Sequence, residues 1–201
     1  MNVTRVSPSD RPAAATTLAR AFHDDPVWSW VFPDPVPRLQ RLTALSGLML
    51  AGSAEYRWTW MTAGCAAVTL WIPPGMPDLA EPYASKVDPL ILELEGPRAP
   101  SVNEVFELFE AAHPQVEDHY YLSLLGTHPD HRGAGLGMGL LTENLARIDR
   151  EGVPAYLESS NSANLERYES VGFTRLGSFR LPHDGPVVTT MWREPHPPQA
   201  R

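Results

Sequence analysis

Residues 119 to 139, HYYLSLLGTHPDHRGAGLGMG, constrain the fold more than any other stretch. Tyr120 to Thr127 is rich in aromatic and branched apolar residues, which reads as a strand. His128-Pro129-Asp130 breaks it. Arg132-Gly133-Ala134-Gly135-Leu136-Gly137 follows, and a helical pattern begins at once, with Leu140, Leu141, Leu145 and Ile148 on the buried face. Glu151-Gly152 ends that helix, and Ala155 to Ser159 is a further strand. Strand, crossover helix and strand make a βαβ unit, so the two strands are parallel neighbours. The glycine-rich junction also suits an anion. Its backbone curls tightly without Cβ atoms. The orphan N–H groups of the first helical turn then point outward together, where the helix dipole favours negative charge.

A net charge of −8 argues against general nucleic-acid binding and against anionic membranes. A polyanionic cofactor must therefore be held locally. Cys65 is the single cysteine, so no internal disulfide forms, and a cytoplasmic location is the default. MNVTRVSPSDRP lacks the apolar core of a signal peptide. The apolar run around Leu42 to Ala54 is interrupted by Ser46, Gly47 and Gly52 and is too short to span a bilayer. No metal site is expected. The 21 prolines are spread along the chain and read as loop punctuation rather than a disordered tract.

The remaining elements follow from local signals. Val3 to Val6 is a short strand. Ser7-Pro8-Ser9-Asp10 opens a helix running to about Phe22, with Ser7 as N-cap. His23-Asp24-Asp25-Pro26 ends it. An aromatic segment with Trp28, Trp30 and Phe32 is closed by Pro33-Asp34-Pro35, and a second helix covers about Arg38 to Gly52. Tyr56 to Thr62 and Cys65 to Ile72 form a hairpin around Ala63-Gly64, with Cys65 as a small buried hydrophobe. Asp88-Pro89 starts one helix ending near Gly96. Ser101 and Glu104 form a capping box for the next, which ends near His113-Pro114. Asn161 to Val171 is a short helix stopped by Gly172, with Phe173 folding back. Thr174 to Arg180 and Val187 to Trp192 are closing strands around Asp184-Gly185.

Three anion sites compete for the glycine-rich turn. A Walker A loop needs a lysine after its glycines, and the only lysine is Lys86. A dinucleotide fingerprint needs glycine or alanine at its sixth position, where Met138 or Leu140 stands. The turn does match R/Q-x-x-G-x-G/A. With the strand before it and the Leu157 to Phe173 segment after it, the chain resembles the GCN5-related N-acetyltransferases (GNAT). The N-x-x-N-L-x-x-Y-E-x-x-G-F pattern from Asn161 to Phe173 is similar to the puromycin N-acetyltransferase branch. So are Asp25-Pro26 and the stretch Val153 to Glu158. Arg132 departs from that branch, which often has glutamine. The resemblance is specific over residues 117–193, looser over 1–72 and vague over 73–116.

The resemblance implies an α/β (α+β) fold: a mixed, mostly antiparallel twisted sheet of about seven strands flanked by helices, with one central parallel pair, the fourth and fifth strands. Length and composition point to one domain over residues 1–194, with residues 195–201 expected as a flexible tail. The resemblance also implies acetyl-CoA as cofactor and direct attack by an amine, without a covalent enzyme intermediate. The partner would be a small-molecule amine, and the chain a monomer or homodimer.

Four tasks follow from that chemistry. Amides from Gly133 to Gly137, including Ala134, Gly135 and Leu136, would hold the pyrophosphate with Arg132. Backbone at Leu125, Gly126 and Thr127 would hold pantetheine like an added strand and steady the oxyanion. Tyr168 would protonate the leaving thiolate. Asn161, Asn164, Leu165 and Tyr168 share one helix face, which would touch the cofactor; Arg167 is also expected at the cofactor, and Asn161 doubles as an N-cap. The amine must lose a proton, and His119, Glu158 or a water relay could take it. Period-two alternation puts His119 on one face with Tyr121, Ser123 and Leu125. Glu158 is costly inside an apolar strand unless it has a partner. Asp25, Trp28, Trp30, Phe32, Phe109 and His113 are the candidates for the acceptor pocket. Two other functions share the pattern: an acyl-CoA-binding sensor without turnover, and a transferase for peptide or protein amines.

Overall fold

The computed structural model describes residues 1–115 and 118–196. In chain order they form β1 (Val3–Arg5), α1 (Arg11–Phe22), α2 (Pro26–Val31), α3 (Pro35–Gly52), β2 (Thr59–Thr62), β3 (Ala67–Ile72), α4 (Val87–Glu95), α5 (Ala99–Ala112), β4 (Tyr120–Thr127), α6 (Leu136–Glu151), β5 (Ala155–Ser159), α7 (Leu165–Glu169), β6 (Thr174–Arg180) and β7 (Val187–Arg193). The strands make one seven-stranded sheet in the order β1-β2-β3-β4-β5-β7-β6. Only β4 and β5 pair in parallel; every other neighbouring pair is antiparallel. This is the expected mixed sheet with one central parallel pair. The expected tail lies mostly outside the described residues, which end at His196. None of the described helices is long and apolar enough to cross a membrane.

Side-chain alternation on β3 sorts the helices onto two faces. Ala67 and Trp71 pack with Leu140, Leu141, Leu145 and Ile148 of α6, while Thr69 donates to the buried Asn144 of the same helix at 2.6 Å. Val68, Leu70 and Ile72 point the other way, onto Ala14 and Leu18 of α1. A third apolar cluster joins α2, α3, α4 and α5 through Val31, Phe32, Leu42, Ile91 and Val102.

Strand β4 departs from simple alternation. Its pairing with β3 runs Leu70↔Leu124 and then Trp71↔Leu122, which leaves Ser123 unopposed as a β-bulge. Before the bulge, Tyr120 and Leu122 face α6. After it, Leu124 faces α1 and Leu125 packs with the α6 cluster. The extra residue therefore corrects the expected shared face of His119, Tyr121, Ser123 and Leu125. His119 and Tyr121 lie on the face of Tyr156 and Trp192, whereas Leu125 and Thr127 lie on the face of α6.

The parallel pairing is short. It covers Tyr120↔Ala155, Tyr121↔Tyr156 and Leu122↔Leu157 and stops there. Beyond it β4 continues along β3 to Thr127 and β5 continues along β7 to Ser159. A wedge opens between the two central strands, and Glu158 is the first residue of β5 past its crotch.

Local differences from expectation have simple causes. Ser7 and Asp10 do bond reciprocally, with Ser7 N donating to Asp10 Oδ2 at 3.0 Å, but in a turn that precedes α1. Ser101 is no cap: Pro100 lets α5 start at Ala99, so Ser101 sits inside the first turn. The aromatic segment is a helix, because Asp25 Oδ1 accepts from Val27 N at 3.0 Å and Trp28 N at 3.3 Å, with Pro26 at the first position. The Asn161 to Val171 segment splits into a tight turn over Ser162–Asn164 and α7. Gly172 has φ 97° there, and Phe173 N donates to Tyr168 O at 3.2 Å.

Candidate active site

The glycine-rich turn forms a cradle at the start of α6. Gly135 is the N-cap residue with φ 71°, a left-handed backbone that suits glycine. A Cβ at Gly137 would stand 2.5 Å from Thr127 Oγ1, so only glycine lets the helix press against the end of β4. The amides from Gly133 to Met138 take no partner among the described residues. They face a cleft of about 580 Å3. Its walls include Leu125, Gly126 and Thr127 from β4, Arg132 to Gly137 from the turn except Ala134, and Asn161, Asn164, Arg167 and Tyr168 from the α7 side. Free donors, a helix N-terminus and the unpaired reach of β4 are what a bulky phosphate-bearing thioester requires.

Several of these side chains also hold the walls together. Arg132 Nη2 donates to Ala21 O at 3.0 Å and ties the turn to the end of α1. Asn161 Oδ1 accepts from Ala163 N at 3.0 Å as an N-cap, and Arg167 Nη1 donates to Asn164 Oδ1 at 3.0 Å. Asp25 is 7% exposed, and its Oδ2 accepts from Ser160 Oγ at 2.7 Å. That bond fastens the α1–α2 turn to the end of β5, across the wedge. Burial, with the Asp25 charge nearby and Arg167 opposing, pushes the Tyr168 hydroxyl up to about 12. Tyr168 therefore keeps its proton at neutral pH.

At the crotch of the wedge lies a buried carboxylate. The Glu158 side chain is 1% exposed, and neither oxygen has a hydrogen-bond partner within normal geometry. The Tyr121 and Tyr156 hydroxyls stand close enough to steady its charge without closing such a bond. Burial dominates and pushes the carboxyl up to about 7, the tyrosines pulling it down and Asp78 and Glu110 pushing it further up. The same charge, after burial, holds the Tyr121 and Tyr156 hydroxyls well above their ordinary value. His113 Nδ1 lies 3.9 Å from Glu158 Oε1, and His113 Nε2 is 2.9 Å from His119 Nε2. Burial and the neighbouring His119 push His113 down to about 4, so it is neutral at pH 7.

A family model described as the acetyltransferase (GNAT) family matches residues 103–173. An uncharacterized N-acetyltransferase of Schizosaccharomyces pombe is 30% identical over 207 aligned positions, covering 97% of this chain and 84% of the relative. The chain belongs to the GNAT acetyltransferase family. Among solved structures, a histone acetyltransferase HPA2 and related acetyltransferase from Corynebacterium glutamicum superposes with a TM-score of 0.70 at 25% identity, covering 99% of this chain and 98% of that one. The Drosophila melanogaster polyamine N-acetyltransferase, described as forming N-acetylagmatine, shares the fold with a TM-score of 0.66 at 16% identity, covering 96% and 99%. GNAT proteins are acyltransferases that use acetyl-CoA, and the free amides and left-handed glycines at the start of α6 fit that group.

Within this GNAT fold the sequence-predicted residues fall into three places. Those expected at the cofactor gather on one cleft, with Ala134 beside it. Tyr168 and Asp25 line the same cleft. Glu158, His119 and His113 form a second group across the wedge. The remaining acceptor candidates pack into the apolar cluster: Phe32 is fully buried, Trp28 lies against Phe22 and Phe32, Phe109 meets Phe179 edge-on, and Trp30 packs beside them. Sequence reasoning missed Asp78, Tyr121 and Tyr156. The tyrosines were findable, since parallel pairing of β4 and β5 sets Tyr121 opposite Tyr156, one residue from Glu158. Asp78, in a proline-rich loop, carried no signal.

Proposed function

We propose that the chain moves the acetyl group of acetyl-CoA to a primary amine of a small molecule by direct attack, with Tyr168 as general acid and Glu158 as general base. The supporting observation is the position of Glu158: a carboxylate without a hydrogen bond, poised near 7, at the crotch where the two central strands part. A base is most useful when its pKa lies near the working pH. Acetyl-CoA supplies an activated acyl group and a thiolate leaving group. The chain supplies the two proton sites. Glu158 takes the proton that the ammonium must lose before nitrogen can attack. Neutral His113 and then His119 lead from it toward a second cleft, which gives that proton a way to water. Tyr168, still protonated, gives its proton to the departing thiolate and recovers it from solvent.

The Asn161 to Phe173 motif supports placing the chain with the puromycin N-acetyltransferase-like branch, so puromycin belongs in the first acceptor panel. The test is a mass-spectrometric screen of amines with acetyl-CoA. Transfer to at least one small amine is expected, and no transfer across the panel overturns the reading. Tyr168→Phe should lower kcat by about 10²-fold with little change in acetyl-CoA affinity by calorimetry. Unchanged turnover removes Tyr168 from the acid role.

A further inference from the structure

A second cleft, of about 440 Å3, opens where the end of β3 meets the start of β4. Asp78, Asp118, His113, His119 and Tyr121 line it, and no lysine or arginine is among the described residues on its wall. Ile72, Pro73 and Met76 give it an apolar side. Behind His113 and Tyr121 stands Glu158, directed at this wall, with no hydrogen bond on either oxygen. Asp78 keeps solvent exposure at the cleft mouth, and the protein around it and the Glu110 charge raise its carboxyl above the ordinary value. Two carboxylates elsewhere are matched by guanidinium groups, Glu95 by Arg41 and Arg98 and Asp149 by Arg193, and the buried Asp25 is held by hydroxyl and amide donors. Glu158, buried behind the wall, has neither a guanidinium nor such a donor, and the exposed Asp78 and Asp118 on the wall have no lysine or arginine beside them among its described residues.

Resting on the acetyl-transfer reading above, we infer that this cleft is a subsite for a second cationic group of the acceptor, which makes the preferred substrates di- or polycationic amines. A buried carboxylate left without a cation, with the exposed Asp78 and Asp118 in front of it, favours a ligand that brings one. The apolar side suits the methylene stem that joins two charges. Tyr121 in this cleft and Leu125 in the cofactor cleft are four residues apart on β4, at most about 13 Å. That spacing separates the two ends of a short extended diamine.

The experiment compares kcat/KM for n-alkylamines with that for α,ω-diaminoalkanes of matched length. Diamines are expected to be at least tenfold better, with an optimum chain length. Asp78→Asn should collapse the diamine-to-monoamine ratio toward one, and Asp118→Asn should lower it, with circular dichroism confirming the fold of both variants. A wild-type ratio near one, or a ratio that Asp78→Asn leaves intact, overturns the subsite while leaving acetyl transfer standing. If no amine is acetylated, the transfer reading fails and calorimetry of a diamine with the protein alone decides the subsite. Binding weakened by Asp78→Asn upholds it, and no diamine binding overturns it.

Discussion

On the proposed reading, Glu158 trades stability for function. Its folded carboxyl is pushed from 4.5 up to about 7, chiefly by burial. The sign follows from proton binding. Below pH 4.5 the group is neutral in both states and costs nothing. As pH rises, the unfolded chain ionises first, so stability falls until the folded group also ionises near 7. The full difference is about 3 kcal/mol. Replacing the carboxyl by a neutral amide removes this penalty. Glu158→Gln should therefore melt higher than wild type at pH 8, by about 6–12 °C, and about equally at pH 4.5. Melting curves from pH 4.5 to 8 check this, and parallel slopes for the two proteins contradict it. The same variant should lose about 10²-fold or more in kcat/KM and the limb of its pH profile near 7. Gained stability with lost turnover is the signature of a functional carboxylate; a structural one would lose both or neither.

The elements that matter most are β4 and α6, and their contact is set by one missing methyl group. Gly137→Ala would push a Cβ to 2.5 Å from Thr127 Oγ1. Crowding of this kind costs about 1–3 kcal/mol and moves the free amides of α6 away from the strand. Acetyl-CoA affinity by calorimetry should fall about tenfold or more, which corresponds to about 1.4 kcal/mol. Gly47→Ala is the control: its Cβ meets nothing within 4 Å on α3, so affinity stays and stability rises by about 0.5–1 kcal/mol. Both β4 and β5 begin and end where their apolar runs and flanking breakers put them, as does the buried face of α6. The cleft wall at the start of α6 was legible for the same reason: the end of β4 and the glycine-rich turn are contiguous in sequence. What could not be read was non-local or ambiguous. A serine inside an apolar strand fits a bulge as well as a regular pleat, so Ser123 hid the change of face. Asp25 beside Asp24 gave no sign of which would cap α2. Asp78 meets Glu158 only because the loop after β3 folds back over β4.

At the scale of the whole molecule, charge divides the two ligands. The protein carries −8 and must hold a polyanion at one cleft and, on the inference above, a dication at the other. Long-range repulsion opposes the first and long-range attraction assists the second. On the proposed reading acetyl-CoA would be gripped at contact by amides from Gly133 to Met138, with His131, Arg132 and Arg167 on the same cleft. Salt weakens those short contacts but also screens the repulsion from the rest of the chain, so the two effects oppose each other. For a diamine they add, because the cleft carboxylates and the overall field pull in the same direction. Raising ionic strength from about 0.02 to about 0.2 M shortens the screening length from roughly 20 Å to below 10 Å. Over that range the KM for a diamine should rise several-fold, and the KM for acetyl-CoA should change by less than about twofold. A monoamine, which feels the field but not the second cleft, should fall between them. Steady-state kinetics at the two salt concentrations measures all three values. If acetyl-CoA and diamine respond alike, the two clefts do not differ in charge as the side chains on their walls require.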